Sequence, residues 1–336
     1  MIFLEVSIKT KSRLRRYFKE KIMKRIGFIF TALFLSFLTY AQEMVFPSDG
    51  VDIFGMLTLP ENEEPKTICI IVPGSGPMDM DGNNIAGLKT DCYKLLAEKL
   101  QEGGIASFRY DKRSIGKSIP KNKDEVIIFD TMVNDVVSII FGIKEMKQFE
   151  KIYLIGHSEG SLISILASKA EPVDGIISIS GVGKNADELL IDQFQKQLSA
   201  TIVKDAKKII KSLKKGNIYK GDIPVLLQDL FSSVNQSYFI SWFKYNPKKE
   251  ISSIKIPCLI LHGGSDSQVD PANSRLLKSG NKNARFKIIE NMTHVLKEIK
   301  NSNEEQLTYI DSSYPIPKDL IDEILGFIKG NTRKKL

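Results

Sequence analysis

The sequence predicts an α/β protein whose central sheet is mostly parallel and flanked by helices. Short apolar runs rich in β-branched residues recur along the 336-residue chain, as is typical of buried parallel strands. Amphipathic helical patterns separate these runs, and glycine-rich turns directly follow several of them. An alternation of strands and helices of this kind is the pattern of a parallel α/β sheet.

The predicted elements follow one another with short connections. After a hairpin over residues 44–59, strands are predicted at Thr67–Val72, Ile105–Tyr110, Ile152–Ile155, Gly175–Ser180, Pro257–His262 and Arg285–Ile289. Helices are predicted at Leu88–Leu100, Phe129–Gln148 and Asp319–Ile328, and after residue 158. Residues 184–251 hold no strand, so we expect a helical cap insertion there, within a core formed by residues 42–183 and 252–336. The helical patterns of this segment cover Ala186–Leu198, Thr201–Lys214, Ile223–Phe231 and Tyr238–Phe243.

Residues 1–41 have the pattern of a secretory leader. Basic residues precede the apolar run 26–38, and a small-x-small ending closes at Ala41. We expect a signal peptide cleaved near Ala41, a periplasmic or secreted mature protein, and contact with the membrane only during export. Met23 is an alternative start. A retained N-terminal anchor is the competing interpretation, although the run is short for a membrane span.

The formal net charge of +8 is concentrated in this leader. Residues 1–41 contain nine Lys/Arg and two Glu, so the remainder of the chain carries a net charge of +1. A nucleic-acid partner is therefore not indicated by charge. The three cysteines lack the spacing of a disulfide framework, and no His/Cys pair has the spacing of a zinc site. We expect no metal and no cofactor.

The motif Gly-x-Ser-x-Gly at residues 156–160 lies between a predicted strand and a predicted helix. In that context it is typical of a nucleophile elbow, a strained turn that exposes a serine hydroxyl above the sheet edge. The helix that follows directs its N-terminal N–H groups toward the same place. Ser158 is therefore the candidate nucleophile.

A serine hydroxyl needs a base, and the base needs an orienting carboxylate. Of the three histidines, His294 follows the last predicted strand and is the candidate base. His262 lies within a strand end, and the ring of His157 is expected to point away from the serine.

Asp266 follows a strand by a short glycine turn and is the preferred acid. Asp270 is its rival but precedes Pro271, so we expect it to cap the next helix. Asp174 is the third choice.

Two backbone N–H groups should bind a developing oxyanion. One belongs to Glu159, the residue after the nucleophile. The other is expected from the turn Gly74–Gly76 after the first parallel strand, at Ser75. A phosphate loop is not indicated, because the Gly-Lys-Ser/Thr ending is absent. The Glu159 carboxylate compensates the helix dipole, and Asp111 and Arg113 are expected to tie down the loop that holds them.

These residues together resemble the α/β-hydrolase superfamily over residues 44–330. Within it, the glycine-rich loop 73–82 with Gly-His-Ser-Glu-Gly looks like a bacterial carboxylesterase subgroup, often described as serine aminopeptidase-like hydrolases. That subgroup usually has Arg where this chain has Met80. The resemblance implies an α/β-hydrolase fold, a Ser158–His294–Asp266 triad, no metal and an acyl-enzyme intermediate.

The sequence thus predicts a secreted serine hydrolase that cleaves small-molecule carboxylic esters. A peptidase or amidase that releases N-terminal residues is the alternative, and it would need an acidic pocket for a free α-amine, for which Glu159 is the candidate. A third hypothesis is a hydrolase fold without activity that serves as a binding module.

Overall fold

The computed structural model describes residues 41–61, 64–122 and 125–333. The predicted leader lies outside these residues, apart from Ala41, which begins the first strand. A search of the described residues for a membrane-spanning helix found none of sufficient length and apolar character.

Eight strands form one sheet in the order β1-β2-β4-β3-β5-β6-β7-β8. The strands are β1 (Ala41–Ser48), β2 (Val51–Thr58), β3 (Thr67–Val72), β4 (Ala106–Tyr110), β5 (Lys151–His157), β6 (Gly175–Ile179), β7 (Cys258–Gly263) and β8 (Arg285–Ile289). Strands β1 and β2 form an antiparallel hairpin, and β2 pairs antiparallel with β4. The six remaining strands, in the sheet order β4-β3-β5-β6-β7-β8, pair in parallel. The mostly parallel sheet predicted from the sequence is confirmed, and its carboxyl ends share one edge.

Helices connect the parallel strands and fill the long segment between β6 and β7. They are α1 (Cys92–Glu102), α2 (Phe129–Glu145), α3 (Glu159–Ala170), α4 (Ala186–Gln197), α5 (Ala200–Lys214), α6 (Val225–Gln228), α7 (Ser233–Trp242), α8 (Pro247–Ser252), α9 (Ala272–Gly280) and α10 (Lys318–Arg333). A 3₁₀ helix covers Ser302–Tyr309.

Strand β3 shows how the sheet separates two apolar layers. Ile68 and Ile70 belong to the layer packed under α2 and α3, whereas Cys69 and Ile71 belong to the layer packed under α1 and α10. This alternation follows from the two-residue period of a strand. Because both faces are covered, all six residues of β3 are buried, as its uninterrupted apolar sequence predicts.

Helix α1 begins four residues later than its apolar pattern predicts. The side-chain oxygen of Asn83 accepts hydrogen bonds from the N–H groups of Thr90 and Asp91, at 2.8 and 3.0 Å. The Asn84 side chain likewise accepts from Leu88 N–H at 3.2 Å. These bonds hold residues 88–91 in the preceding loop, since short polar side chains compete with helical bonding.

The segment between β6 and β7 differs from its predicted helices in three places. Helix α7 starts at Ser233 and not at the predicted Tyr238. The helix predicted over 223–231 is reduced to Val225–Gln228. Helix α8 was not predicted, and it has Pro247 at its first position with the Asn246 side chain accepting from Lys249 N–H.

The loop after β4 is fixed by a buried ion pair. Arg113 Nη2 lies 2.5 Å from Asp135 Oδ1 in α2, and Arg113 Nε lies 3.1 Å from Oδ2, with both side chains at most 2% exposed. Burial raises the pKa of Asp135, and the Arg113 guanidinium opposes that rise. Asp111 holds the same loop, because its carboxylate accepts from the N–H groups of Met80 and Lys117. Asp111 and Arg113 therefore fix this loop, as the sequence analysis expects.

We predict that Arg113→Ala lowers the free energy of unfolding by about 3–5 kcal/mol, because it leaves the Asp135 carboxylate buried without its partner. Arg285→Ala is the matched control, since Arg285 pairs with Glu323 on the surface and is 50% exposed. The control should lose no more than about 1 kcal/mol. Urea unfolding of the three proteins measures both values. Equal losses in the two variants would contradict the structural role of the buried pair.

Candidate active site

Ser158 occupies a sharp turn between β5 and α3. Its backbone has φ 52° and ψ −117°, a conformation that L-residues rarely adopt and that stores strain. The neighbouring backbone comes so close that a Cβ on Gly160 would lie 2.2 Å from Val72 O, and one on Gly156 would lie 2.3 Å from Gly160 O. Both positions therefore require glycine. The predicted turn geometry around the serine is present.

Helix α3 starts at Glu159, directly after this turn. Ser158 N–H donates to Ile179 O at 2.9 Å, which fixes the turn to the neighbouring strand β6. The N–H of Glu159 belongs to the first helical turn, whose N–H groups have no intrahelical acceptor. It is therefore in a position to bind an anion at the helix N-terminus.

Asp266 and His294 are brought together from the loops after β7 and β8. His294 Nδ1 lies 2.8 Å from Asp266 Oδ2, and both side chains are at most 5% exposed. Burial opposes ionisation of Asp266, but the interactions with His294, His262 and Val269 N–H outweigh it and lower the Asp266 pKa. An ionised Asp266 that accepts from Nδ1–H leaves Nε2 of His294 as the nitrogen that can accept a proton.

The two rival carboxylates serve other purposes. Asp270 Oδ1 accepts from Ala272 N–H at 2.8 Å, at the start of α9, which fits the expected capping role. Asp174 Oδ2 accepts from Ile152 N–H at 3.0 Å, near the amino end of β5 and therefore at the opposite edge of the sheet from Ser158.

His262 supports the same acid loop from the end of β7. Its Nε2 donates to Val269 O at 2.8 Å and lies 3.4 Å from Asp266 Oδ2. Val269 N–H in turn donates to Asp266 Oδ1 at 2.8 Å. Burial lowers the pKa of His262, so it stays neutral beside the carboxylate.

His157, next to Ser158, makes a chain of hydrogen bonds beneath the site. Its Nε2 lies 2.8 Å from His294 O, and its Nδ1 lies 2.8 Å from Tyr93 Oη. Because a carbonyl only accepts, Nε2 carries the proton and Nδ1 accepts from the Tyr93 hydroxyl. Tyr93 Oη also accepts from Gly74 N–H at 2.9 Å. Burial and the neighbouring His294 lower the pKa of His157 to about 3, which keeps this arrangement neutral.

The His157 ring also lies against the ring of His294, with the two centroids 4.9 Å apart. All three histidines of the chain thus converge at this edge of the sheet.

The glycine-rich turn after β3 lies against the serine. A Cβ on Gly74 would lie 3.3 Å from Ser158 Cβ. Gly74 N–H is already bound by Tyr93, and Ser75 lines the same cavity as Ser158 and Glu159. This chain has Met80 where the similar subgroup usually has Arg, but other contacts hold the loop. Asp79 Oδ1 accepts hydrogen bonds from the N–H groups of Asp81 and Asn83, at 2.9 and 2.8 Å.

A buried charged cluster, formed by Lys112, Glu159 and Tyr238, adjoins this turn. Lys112 Nζ lies 2.9 Å from Gly74 O and 3.1 Å from Glu159 Oε2. Tyr238 Oη donates to Glu159 Oε1 at 2.7 Å. The Glu159 side chain is 2% exposed, so its carboxylate is enclosed by partners.

A cavity of about 740 Å³ opens beside Ser158. The core contributes polar groups at its base, and helices α4 and α7 with the connection between α6 and α7 contribute a largely apolar wall. Wall residues include Leu189, Leu190, Leu230, Val234, Phe239 and Trp242. Within the described residues, no group of three or more His, Cys, Asp or Glu side chains is arranged to hold a metal ion.

Sequence reasoning missed Lys112, Tyr93 and Tyr238. Lys112 stands in the loop that was singled out for Asp111 and Arg113, directly after a predicted strand, so its position was a usable signal. Tyr93 and Tyr238 lie in amphipathic helical patterns, where an aromatic residue predicts only a core position.

The chain is similar to known hydrolases in sequence and in fold. Residues 86–224 match the family model described as serine aminopeptidase, S33. The esterase EstD of Thermotoga maritima is 24% identical over 273 residues, a match that covers 80% of this chain and 64% of EstD. The chain thus spans less than two thirds of that relative's length.

Two solved structures have the same fold. Est1E from Butyrivibrio proteoclasticus superposes with a TM-score of 0.56 at 17% identity, covering 87% of this chain and 99% of Est1E. A proline iminopeptidase from Mycobacterium smegmatis superposes with a TM-score of 0.58 at 12% identity, covering 88% of this chain and 100% of the other. At such identities the likeness establishes the fold.

We predict that His157→Gln reduces the loss of stability on acidification. His157 has a pKa near 6.5 when unfolded and about 3 when folded, so its contribution is present above pH 6.5 and is lost as the pH falls toward 3. Between pH 7 and pH 5 the wild type should lose about 2 kcal/mol more unfolding free energy than the variant, whose amide does not titrate. Urea unfolding at the two pH values measures this difference. Parallel losses would show that His157 is not held neutral.

Proposed function

We propose that this chain, which has the α/β-hydrolase fold, is a serine hydrolase that cleaves carboxylic esters through an acyl-enzyme intermediate on Ser158. The observation that carries this proposal is the convergence of a strained serine turn, the 2.8 Å His294–Asp266 pair and a large apolar cavity at one sheet edge. Convergent polar groups beside an apolar cavity are what such catalysis requires.

In the proposed first step, Ser158 Oγ attacks the ester carbonyl carbon. His294 Nε2 takes the serine proton and passes it to the leaving alkoxide, while Asp266 holds Nδ1–H and stabilises the imidazolium. The carbonyl oxygen becomes an oxyanion that accepts from the N–H groups of Ser75 and Glu159. The alcohol leaves, and Ser158 carries the acyl group.

In the second step, a water molecule attacks the acyl carbon. His294 now takes a proton from that water, and the same two N–H groups bind the second oxyanion. Collapse of the intermediate returns the proton from His294 to Ser158 Oγ and releases the acid. No metal or cofactor enters the proposed reaction.

The acyl group is proposed to lie against the apolar wall beneath the inserted segment 184–251. The position of helices α4 and α7 over the cavity supports a cap role for this segment. A neutral, apolar acyl group matches these side chains, because burying apolar surface stabilises the complex.

A peptidase or amidase is the second candidate, favoured by the S33 family match. It needs a carboxylate for a free α-amine. Glu159 does not offer one, because Lys112 and Tyr238 occupy its two oxygens. Among the described residues that line the cavity, Asp229 is the other carboxylate, and it is exposed to solvent. The ester hypothesis is therefore preferred to the peptidase hypothesis. It is also preferred to a binding module without activity, because such a module would not use the serine turn or the His294–Asp266 pair.

We also propose export to the periplasm or the exterior. The support is the leader pattern of residues 1–41, with its basic start, apolar run and Ala41 ending.

We predict that Ser158→Ala lowers kcat on p-nitrophenyl esters by at least about 10⁴-fold, because it removes the nucleophile. Ser168→Ala is the matched control, since Ser168 lies in the same helix and donates to Ile165 O. It should retain the activity of the wild type. Assays with both variants, on protein that starts at Gln42, measure these values.

The same assay with acyl chains of increasing length tests the cavity. Each added methylene should raise kcat/KM about fourfold until the cavity is filled. Activity that survives in Ser158→Ala would contradict the proposal. Faster turnover of aminoacyl anilides than of any ester would favour the peptidase, and an absence of turnover on both would favour the binding module.

A further inference from the structure

The turn proposed to supply an oxyanion donor is held by two side chains that lie outside the triad. Gly74 N–H donates to Tyr93 Oη at 2.9 Å, and Gly74 O accepts from Lys112 Nζ at 2.9 Å. The peptide groups on both sides of the Gly74 Cα are therefore fixed. Glycine has no Cβ to restrict its backbone dihedral angles, so the conformation of this turn depends on such external contacts.

The contact at Gly74 O determines where the next N–H points. Gly74 C=O and Ser75 N–H belong to the same planar peptide group, and no cis peptide bond occurs in the described residues. In a trans peptide the two bonds point in opposite directions. The Lys112 ammonium therefore fixes the direction of Ser75 N–H, and by drawing charge toward the carbonyl oxygen it strengthens that N–H as a donor.

The same ammonium also contacts the side chain of Glu159, the residue whose backbone N–H is the second proposed donor. Lys112 Nζ lies 3.1 Å from Glu159 Oε2, and the Glu159 N–H is the donor that follows the nucleophile. The Lys112 and Glu159 side chains are 8% and 2% exposed, so little water competes with either contact. One buried cation thus connects the two backbone segments that must face a single oxygen atom.

We propose that Lys112 is a positioning residue of the oxyanion hole, with Tyr93 holding the other side of the same turn. This inference rests on the proposed function, because an oxyanion forms only if Ser158 attacks a carbonyl. Lys112 does not touch the reacting atoms. It acts by preorganising Ser75 N–H before charge develops on the substrate oxygen, which is how such donors lower a barrier.

The alternative is that Lys112 only neutralises the buried Glu159 carboxylate. The two roles differ in what happens when that charge is also removed. If Lys112 serves Glu159 alone, then Lys112→Met in a Glu159→Gln background has no charge left to neutralise and should not lower activity further. If Lys112 orients the Gly74 peptide, the loss should persist in that background.

The test compares Lys112→Met, Glu159→Gln and the double variant, each on a p-nitrophenyl ester and on its thionoester. Sulfur is a weak hydrogen-bond acceptor, so the ester-to-thionoester rate ratio reports the oxyanion donors directly. Lys112→Met should lower kcat on the ester at least about tenfold, toward the 10²–10³ typical of losing one donor, with little change in KM. The rate ratio should fall by about the same factor. The double variant should stay at least about tenfold below Glu159→Gln.

Lys99→Met serves as a control for the substitution, because Lys99 is exposed and pairs with Glu102 on the surface. If Lys112→Met does not fold, as judged by circular dichroism, Tyr93→Phe carries the test from the other side of the turn and should lower the same rate ratio. A ratio unchanged in every folded variant, or a double variant equal to Glu159→Gln, would overturn the inference while the wild type remains an esterase. A wild type without Ser158-dependent ester turnover would instead overturn the proposed function, and this inference with it.

Discussion

The neutral, buried imidazole of His157 is the interaction on which the geometry of the site depends. It donates to the backbone of His294 and accepts from Tyr93, which itself holds Gly74. Three loops that follow three different strands are therefore joined through one ring next to Ser158. Protonation of this ring would place a second donor opposite the Tyr93 hydroxyl and bury a charge, and both changes are unfavourable. The low pKa of His157 is a consequence of this enclosure.

The helices between β6 and β7 make contacts with this framework. Tyr238 of α7 donates to the Glu159 carboxylate at the start of α3, and Phe239 and Trp242 continue the apolar layer that lies under α2 and α3. Lys112 balances the Glu159 charge from the core side. As a result, the wall of the cavity, the helix after the nucleophile and the proposed oxyanion turn share one buried cluster. A ligand that displaces the Tyr238 hydroxyl would disturb all three.

The parts of this arrangement that could be predicted from sequence are those with a local signature. The serine turn requires two glycines at fixed spacing, and strands buried on both faces are uninterruptedly apolar. The pairing of Asp266 with His294 followed from their places after two strands, because carboxyl ends of parallel strands meet at one edge. The roles proposed for these residues in catalysis stay predictions.

The features that could not be predicted from the sequence depend on side-chain contacts that have no local signature. Lys112 and Glu159 are 47 residues apart in the sequence, and Tyr238 and Glu159 are 79 residues apart. No local sequence pattern predicts either contact. The late start of α1 arises from side-chain oxygens of Asn83 and Asn84 that bind backbone N–H groups otherwise available to the helix. Hydrophobic periodicity identifies the apolar face of a helix, but it does not show where side-chain oxygens compete with the helix for backbone N–H groups.

The most direct test of the account is covalent labelling of the protein with a fluorophosphonate, followed by intact mass measurement and peptide mapping. We expect one adduct per chain, located on Ser158, with ester hydrolysis lost in proportion to labelling. His294→Ala should slow the labelling strongly, because the serine then lacks a base. An adduct on another residue, or full hydrolytic activity in fully labelled protein, would contradict the assignment of Ser158 as a nucleophile activated by His294.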